Sequence, residues 1–402
     1  MAQIPINVEA SCSQHPLLKQ GAALPRVGQT RVSQQRLFTL GSLWLQDNKK
    51  AQFRNYKATQ AAWSFLNMRY ATYLAFSAQQ LTTDADSEML TDLSEVVGVA
   101  LGIAAMNAQF DVNLNRFRKF STPGVATRRL DFEFYSNNQR FFHETKGTTH
   151  VTSVQGMCNT IDDQKQQTQA FVLNQPGQIA ISGCTGSIAQ YRHVNRTNFI
   201  SQVTVIDPPP PDAADTRASG ENDELACVLR YYQNFYAVTH TSSQKDGRLG
   251  LADWLAGVAS GLEEGRRAPV AAPANLRAKA RATEPDVPDS LYRGTYFDAR
   301  LGKRNVLEYA TFAEASARIA EPVTFLGVSQ EVTELVQGCR WDELLEYSDR
   351  DAATKHRDGT DVSESGIMSK RIVSDEIEES SRNSFPQLRR IYQRMNGIDR
   401  IR

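Results

Sequence analysis

Apolar residues recur at spacings of three and four from Gln34 to about Gln80: Leu37, Leu40, Trp44 and Leu45, then Trp63, Leu66, Tyr70 and Tyr73. That spacing predicts helices. Aromatic side chains so placed serve as a packing stripe between helices, the reading preferred here, or as a stacking platform for nucleic-acid bases. Residues 1 to 29 show weak periodicity and predict an extended arm. A polar break, Thr82-Thr83-Asp84-Ala85-Asp86, precedes a long helix from Ser87 to Ala108. Its early acids suit the helix dipole. Leu90, Leu93, Val97, Leu101 and Ala104 form one stripe, and Val96 to Met106 is apolar nearly all round, which predicts burial.

The period then changes to two. Phe110 to Arg116 alternates weakly, and Arg129 to Ser136 alternates clearly. Asn137-Asn138 supplies residues that tolerate a tight turn, and Gln139 to Lys146 completes a hairpin that Gly147 ends. A Gln-rich helix is expected over Thr160 to Leu173, then strands over Gln178 to Cys184 and Phe199 to Ile206. Asp207 to Asn222, rich in proline, is a linker by composition. Helices follow at Glu224 to Val238 and Leu249 to Glu263, then a second linker, Glu264 to Ser290. Tyr292 to Val328 has strand-like pieces around a helix at Ala313 to Ile319. Val332 to Tyr347 predicts another helix, Ser348 to Ser369 a polar mobile stretch, and Pro386 to Met395 a last helix. The expected organisation is a helical N-terminal region (1–84), an α/β domain (85–206), a Pro-rich linker (207–222) and a mixed C-terminal region (223–402).

Composition excludes several classes. With 402 residues, 41% hydrophobic and 22% charged, the chain is neither wholly disordered, fibrous nor a coiled-coil rod. It lacks the run of about 18 apolar residues that a membrane span requires, and Met1 to Arg26 lacks a signal-peptide apolar stretch. Cys12, Cys158, Cys184, Cys227 and Cys339 show no zinc spacing. They predict reduced thiols in a cytoplasmic protein. The formal net charge is zero, so any contact with nucleic acid must come from local patches.

One stretch carries chemistry. Residues two apart on a strand share a face, so Glu144 and Lys146 point the same way, as do Asp131 and Glu133 on the neighbouring strand. The hairpin pairing brings Asp131, Glu144 and Lys146 to one point. Two carboxylates at one point are costly unless a cation joins them. A hard ion such as Mg²⁺ takes a few protein oxygens and leaves positions for water and a substrate phosphate. A lysine beside it orients the attacking water and stabilises the transition state. Those parts hydrolyse a phosphodiester. Glu133 is a candidate second ligand or a supporting acid, and His143, on the opposite face, a packing residue. Asn113 to His150 holds seven basic residues and three acids, a net of +4, as a phosphate-tracking surface requires. Arg128, Arg129, Lys165 and Gln167 are the candidate nucleic-acid contacts; for the last two, a merely soluble helix face fits equally well.

Asp131, a gap of a dozen residues, then Glu144-Thr145-Lys146 resembles the PD-(D/E)xK nuclease superfamily, with the restriction-endonuclease-like fold. The resemblance covers residues 85 to 206 and implies an α-β-β-β-α-β core. It implies Asp131, Glu144 and Lys146 as catalytic residues and Mg²⁺, replaceable by Mn²⁺, as cofactor at Asp131 and Glu144. Many members carry a glutamate on the first helix, here Glu95. A metal-ligand role and a solvated acidic face shared with Glu88 and Asp92 both fit it. The sequence departs from the pattern at Leu130, where a proline often stands. It departs again at Gln167 and Phe171, where some members have Gln-x-x-x-Tyr. The implied activity is a nuclease acting on DNA ahead of RNA, in restriction, antiphage defence or repair. The alternatives are a non-catalytic scaffold that retains the fold and an RNA endonuclease.

The C-terminal region is expected to serve a protein partner or a homo-oligomer. Arg382 to Arg402 has six arginines against one acid, a net of +5. It either contacts nucleic acid or docks on an acidic surface of its own chain or a second subunit. Ile391, Met395 and Ile398 favour docking. Truncation after Ser381 should then change melting temperature or oligomeric mass and leave the salt dependence of nucleic-acid binding in place. An unchanged melting point and mass would overturn docking.

Overall fold

The computed structural model describes residues 3–11, 26–45, 66, 70–77, 80–119, 130–136, 139–173, 181–196, 199–209, 221–239, 250–276, 292–298, 323–349, 352 and 360–372. The architecture is mixed α/β. The chain divides into two compact units: Met1–Lys57 with Arg69–Tyr231, and Ala58–Met68 with Tyr232–Arg402.

The first unit begins with strands β1 (Ile4–Ser11) and β2 (Arg26–Val32), then helix α1 (Gln34–Leu45) and strands β3 (Leu74–Ser77) and β4 (Gln80–Thr83). Residues 1–29, expected to be an arm, instead supply two strands. Ile4, Ile6 and Val8 alternate inward, and the period-two signal is short but real. Leu74–Ser77, within the stretch expected to be helical, form instead a strand that pairs antiparallel with Gln80–Thr83. Leu37, Leu40 and Tyr70 are buried, the packing role preferred for that stripe. The side chains of Trp44 and Trp63 lie outside the described residues.

Helix α2 (Ser87–Phe110) follows; Asp86 caps it by accepting from the Met89 N–H. It is 24 residues long and apolar enough by composition to cross a membrane, yet 67% of its apolar window is buried inside the protein. The helix runs through Phe110 and ends at Asp111 in the left-handed region, φ 52°. The strand expected at Phe110–Arg116 is therefore displaced to β5 (Phe117–Lys119). Next come β6 (Phe132–Ser136), β7 (Gln139–Thr148), helix α3 (Val154–Leu173), β8 (Gly183–Gln190), β9 (Arg192–His193) and β10 (Gln202–Ile206). The main sheet has the order β2-β1-β10-β8-β7-β6-β5; β3, β4 and β9 form a smaller one. In the main sheet β6 and β7 are antiparallel, whereas β7 and β8 are parallel, with Glu144 beside Gly186 and Lys146 beside Ile188.

The two faces of the main sheet are covered differently. Helix α3 lies over one, where Cys158 and Ile161 pack with Ile188 and Ile206. Helix α2 lies over the other, so close that glycine is required on both partners. A Cβ on Gly98 would stand 2.6 Å from the backbone nitrogen of Gly147, and a Cβ on Gly147 would land on the carbonyl oxygen of Ser94.

Helix α4 (Glu221–Thr239) begins in the first unit, where Glu224 pairs with Arg116 at 2.8 Å, and the division between units falls within it. The second unit adds α5 (Leu251–Glu263), β11 (Tyr292–Asp298), β12 (Val323–Ser329), α6 (Gln330–Gln337), α7 (Trp341–Glu346), β13 (Thr360–Val362) and β14 (Ile367–Ile372). Its antiparallel sheet has the order β11-β12-β14-β13. The single helix expected over Val332–Tyr347 is two, broken where Cys339 takes a φ of 51°. The stretch expected to be mobile, 348–369, supplies β13 and part of β14, and its Ser363, Ser365 and Ser369 are buried. The Ser363 and Ser365 hydroxyls bond each other at 2.8 Å in the connection between these strands, and such a buried serine pair reads as polar loop in sequence. The expected helices at 313–319 and 386–395 lie outside the described residues, as do 210–220 and 277–291 of the two expected linkers.

Overpacking by one methyl costs about 1–3 kcal/mol, and here the obstacle is backbone. Gly147→Ala should therefore lower unfolding free energy in urea by at least that amount, whereas Gly156→Ala, with nothing within 4 Å of the new Cβ, should not. Equal stability of the two variants would refute the close contact.

Candidate active site

The β6–β7 register places Phe132 opposite His143 and Glu133 opposite Phe142. Asp131, one residue before β6, therefore falls beside Glu144. Its backbone N–H donates to Glu144 Oε2 at 3.0 Å. Lys146 Nζ donates to Glu144 Oε1, and the amide of Gln164 on α3 donates to the same carboxylate. Glu144 is fully buried, so each donor offsets part of its desolvation. Thr168, one turn beyond Gln164, accepts from the Leu130 N–H at 3.0 Å and holds the chain where it enters Asp131. Gly186 lets α3 come this near: a Cβ there would lie 2.7 Å from Ile161 Cγ2.

The charges are unbalanced. Burial, then Asp131, pushes the Glu144 carboxyl up to about 7, against the pull of Lys146 and Gln164. For Lys146, burial alone would lower its affinity for a proton. The charges of Glu144, Asp131 and Glu95 outweigh burial and raise it. Both groups thus move toward the protonated form, Glu144 chiefly because it is buried and Lys146 because the charges of nearby acids outweigh its burial. Glu95 reaches this field from the third turn of α2 and is half-buried, whereas Glu88 is exposed. The electrostatic influence sets Glu95 apart from the exposed acid with which it was grouped.

Such a field favours a divalent cation. Among the described residues no three His, Cys, Asp or Glu side chains stand together as a complete ligand set. The donor chemistry nevertheless fits Mg²⁺ or Mn²⁺, since Mg²⁺ is commonly held by one or two carboxylates with the remaining positions left to water and phosphate.

Other expected residues are used differently. Glu133, 1% exposed, is gripped by Arg118 and Arg140, with Arg140 Nε at 2.8 Å. It braces β5, β6 and β7, its charge shared between two guanidinium groups. Lys165 is buried and pairs with Asp207 at 2.5 Å, which corrects its expected contact with phosphate. Gln167 is exposed on α3. Arg128 and Arg129 lie outside the described residues. The expected basic surface also changes. Arg116, Arg118, Arg140 and Lys146 are each paired with a buried glutamate, and Lys119 lies over the Phe132 ring at 5.2 Å. His143 is sealed on the opposite face, its Nδ1 2.6 Å from Thr185 Oγ1 and its Nε2 3.0 Å from Ser187 Oγ. Thr185 donates to the Phe142 carbonyl. It therefore accepts from Nδ1–H, and Nε2 accepts from Ser187. Burial, then the charge of Lys165, drives its pKa down to about 3 and keeps the ring neutral.

Gln164 and Thr168 were not singled out in the sequence. Their four-residue spacing, the same as that of Gln167 and Phe171, was the available signal, one turn earlier. Comparison of the chain with family models, curated proteins and solved structures finds no match.

The raised carboxyl has a signed consequence. The unfolded chain releases the Glu144 proton near 4.5 and the folded protein near 7, so this group destabilises the fold as pH rises between those values. Melting temperatures of the protein and of Glu144→Gln, measured from pH 4 to 8, should diverge accordingly. The wild type should lose stability relative to the variant up to about pH 7 and not beyond. A constant difference would show that Glu144 is not displaced.

Proposed function

We propose that the chain is a Mg²⁺-dependent nuclease with a restriction-endonuclease-like core, cleaving phosphodiesters of DNA ahead of RNA. The observation that carries this reading is the convergence of Asp131 and Lys146 on the buried Glu144 carboxylate. The element order α2-β5-β6-β7-α3-β8, with β7 antiparallel to β6 and parallel to β8, supports it.

Asp131 and Glu144 would hold the ion, and Glu95 would complete the acidic side. When bound, the ion supplies Lewis-acid polarisation of a phosphate and a more acidic water. Gln164 holds the Glu144 carboxylate in one orientation, and Thr168 fixes the backbone before Asp131. Lys146 stays protonated at neutral pH, because its neighbours raise its pKa. It therefore acts as a hydrogen-bond donor to the phosphate oxygens and stabilises the charge that builds there, in place of removing a proton. Gly98 and Gly147 set the distance between Glu95 and Lys146 by bringing α2 onto β7.

A second reading, a non-catalytic scaffold, is favoured by the incomplete metal-ligand set. Mn²⁺ or Mg²⁺ should raise the melting temperature on the nuclease reading and leave it unchanged on the scaffold reading.

Plasmid or single-stranded DNA should be degraded with Mg²⁺ or Mn²⁺ and remain intact in EDTA. Lys146→Ala should abolish cleavage while retaining fold and most DNA binding, since the lysine acts mainly in the transition state. Glu95→Gln should slow cleavage by orders of magnitude with little loss of stability. Cleavage that survives in Lys146→Ala would move the chemistry elsewhere.

A further inference from the structure

Arg196 is held differently from five other buried or half-buried basic residues of the first unit. Arg116, Arg118, Arg140, Lys146 and Lys165 each pair with a carboxylate. Arg196 is half-buried, and its Nη1 donates to Thr149 Oγ1, a neutral hydroxyl. Among the described residues it has no ion pair. A guanidinium has five N–H donors in a planar fork that matches phosphate, and one hydroxyl engages one of them. Partial burial leaves its charge less screened than that of a surface arginine.

Its place is fixed. The turn that carries it is held by the Val194 N–H to the Thr83 carbonyl at 2.9 Å and by His193 Nε2 to the Ala85 carbonyl at 3.0 Å. Just before the turn, Tyr191 Oη lies 2.8 Å from Ser94 Oγ, one residue before Glu95. The Tyr191 N–H donates to the Thr148 carbonyl at 3.0 Å. The turn is thus stapled to the end of α2 that carries Glu95 and to the end of β7 that carries Lys146. Thr149 follows Lys146 by three residues, about 10 Å along an extended chain.

We propose that Arg196 is a phosphate clamp, gripping a backbone phosphate of the nucleic-acid strand close to the scissile one. This inference rests on the nuclease reading. Thr149 orients the fork, and the guanidinium supplies the charge.

The test measures binding of a fluorescent single-stranded DNA oligonucleotide to full-length Lys146→Ala protein in Mg²⁺ across a salt series. Adding Arg196→Gln should raise Kd about tenfold at low salt and reduce the slope of log K against log salt by about one unit. Adding Thr149→Val keeps the charge and should leave the slope unchanged. If Arg196 only ties the turn to β7, both additions lower the melting temperature alike, while affinity and slope stay at the parent values; that result overturns the clamp and leaves the nuclease reading standing. If the parent binds no oligonucleotide and the wild type cleaves none, both proposals fall.

Discussion

The site depends on a helix lying directly on strand backbone. At Gly98 and Gly147 the chain of α2 and the chain of β7 meet without side chains between them. Helices usually stand off from a sheet by the thickness of their side chains. Removing that layer here brings the third turn of α2 to the height of Lys146, where Glu95 enters its electrostatic field. The mostly buried second half of α2 anchors the contact, because moving the helix away would expose Val96, Val97, Leu101 and Ile103. Burial of these apolar side chains outweighs the repulsion among the acids held nearby.

That repulsion is confined. The first unit holds several of its basic residues in ion pairs that link strand to strand or helix to strand: Arg118 and Arg140 to Glu133, Arg116 to Glu224, Lys165 to Asp207. Around Glu144 the balance reverses, with Asp131, Glu144 and Glu95 against Lys146. Elsewhere each of these basic residues has a carboxylate partner, and beside Lys146 the acids outnumber the cation. A count of charged residues along the chain cannot separate these uses, because a buried Arg–Glu pair and a solvent-facing arginine contribute the same letter.

The hairpin was legible because it rests on local rules. Period-two alternation through Leu130 to Ser136, the Asn-Asn turn and the fixed two-residue repeat of a strand were enough to bring Asp131 to Glu144. Helix α2 was legible from its apolar stripe, although its end at Asp111 was not, since a left-handed aspartate leaves little trace in composition. Strand β8 was hidden by its content: Gly183, Thr185, Gly186 and Ser187 are small or hydroxylated, chosen for contact with α2, α3 and His143 and not for hydrophobicity. Which residues of α3 face the site, Gln164 toward Glu144 and Thr168 toward the Leu130 N–H, depends on helix rotation against the sheet, a tertiary quantity. One turn of error separates Gln164 and Thr168 from Gln167 and Phe171. Ion pairing of the arginines was likewise invisible, because Glu133 and Glu224 reach them across strands and from a distant helix.

The alternation of His143 and Glu144 on adjacent positions of β7 also guards the assembly of the sheet. A slip of one residue against β6 or β8 would carry Glu144, with Lys146 beside it, to the α2 face, away from the Asp131 N–H and Gln164, and turn the imidazole toward α3, away from Thr185 and Ser187. The carboxylate and the imidazole would each lose hydrogen bonds to neighbouring elements in a buried setting, a penalty of several kcal/mol for a charge alone. Residues chosen for chemistry thus double as an error-rejecting code for strand alignment. They exclude the neighbouring register more sharply than Phe141 and Phe142 could, since two adjacent phenylalanines are nearly interchangeable across a slip.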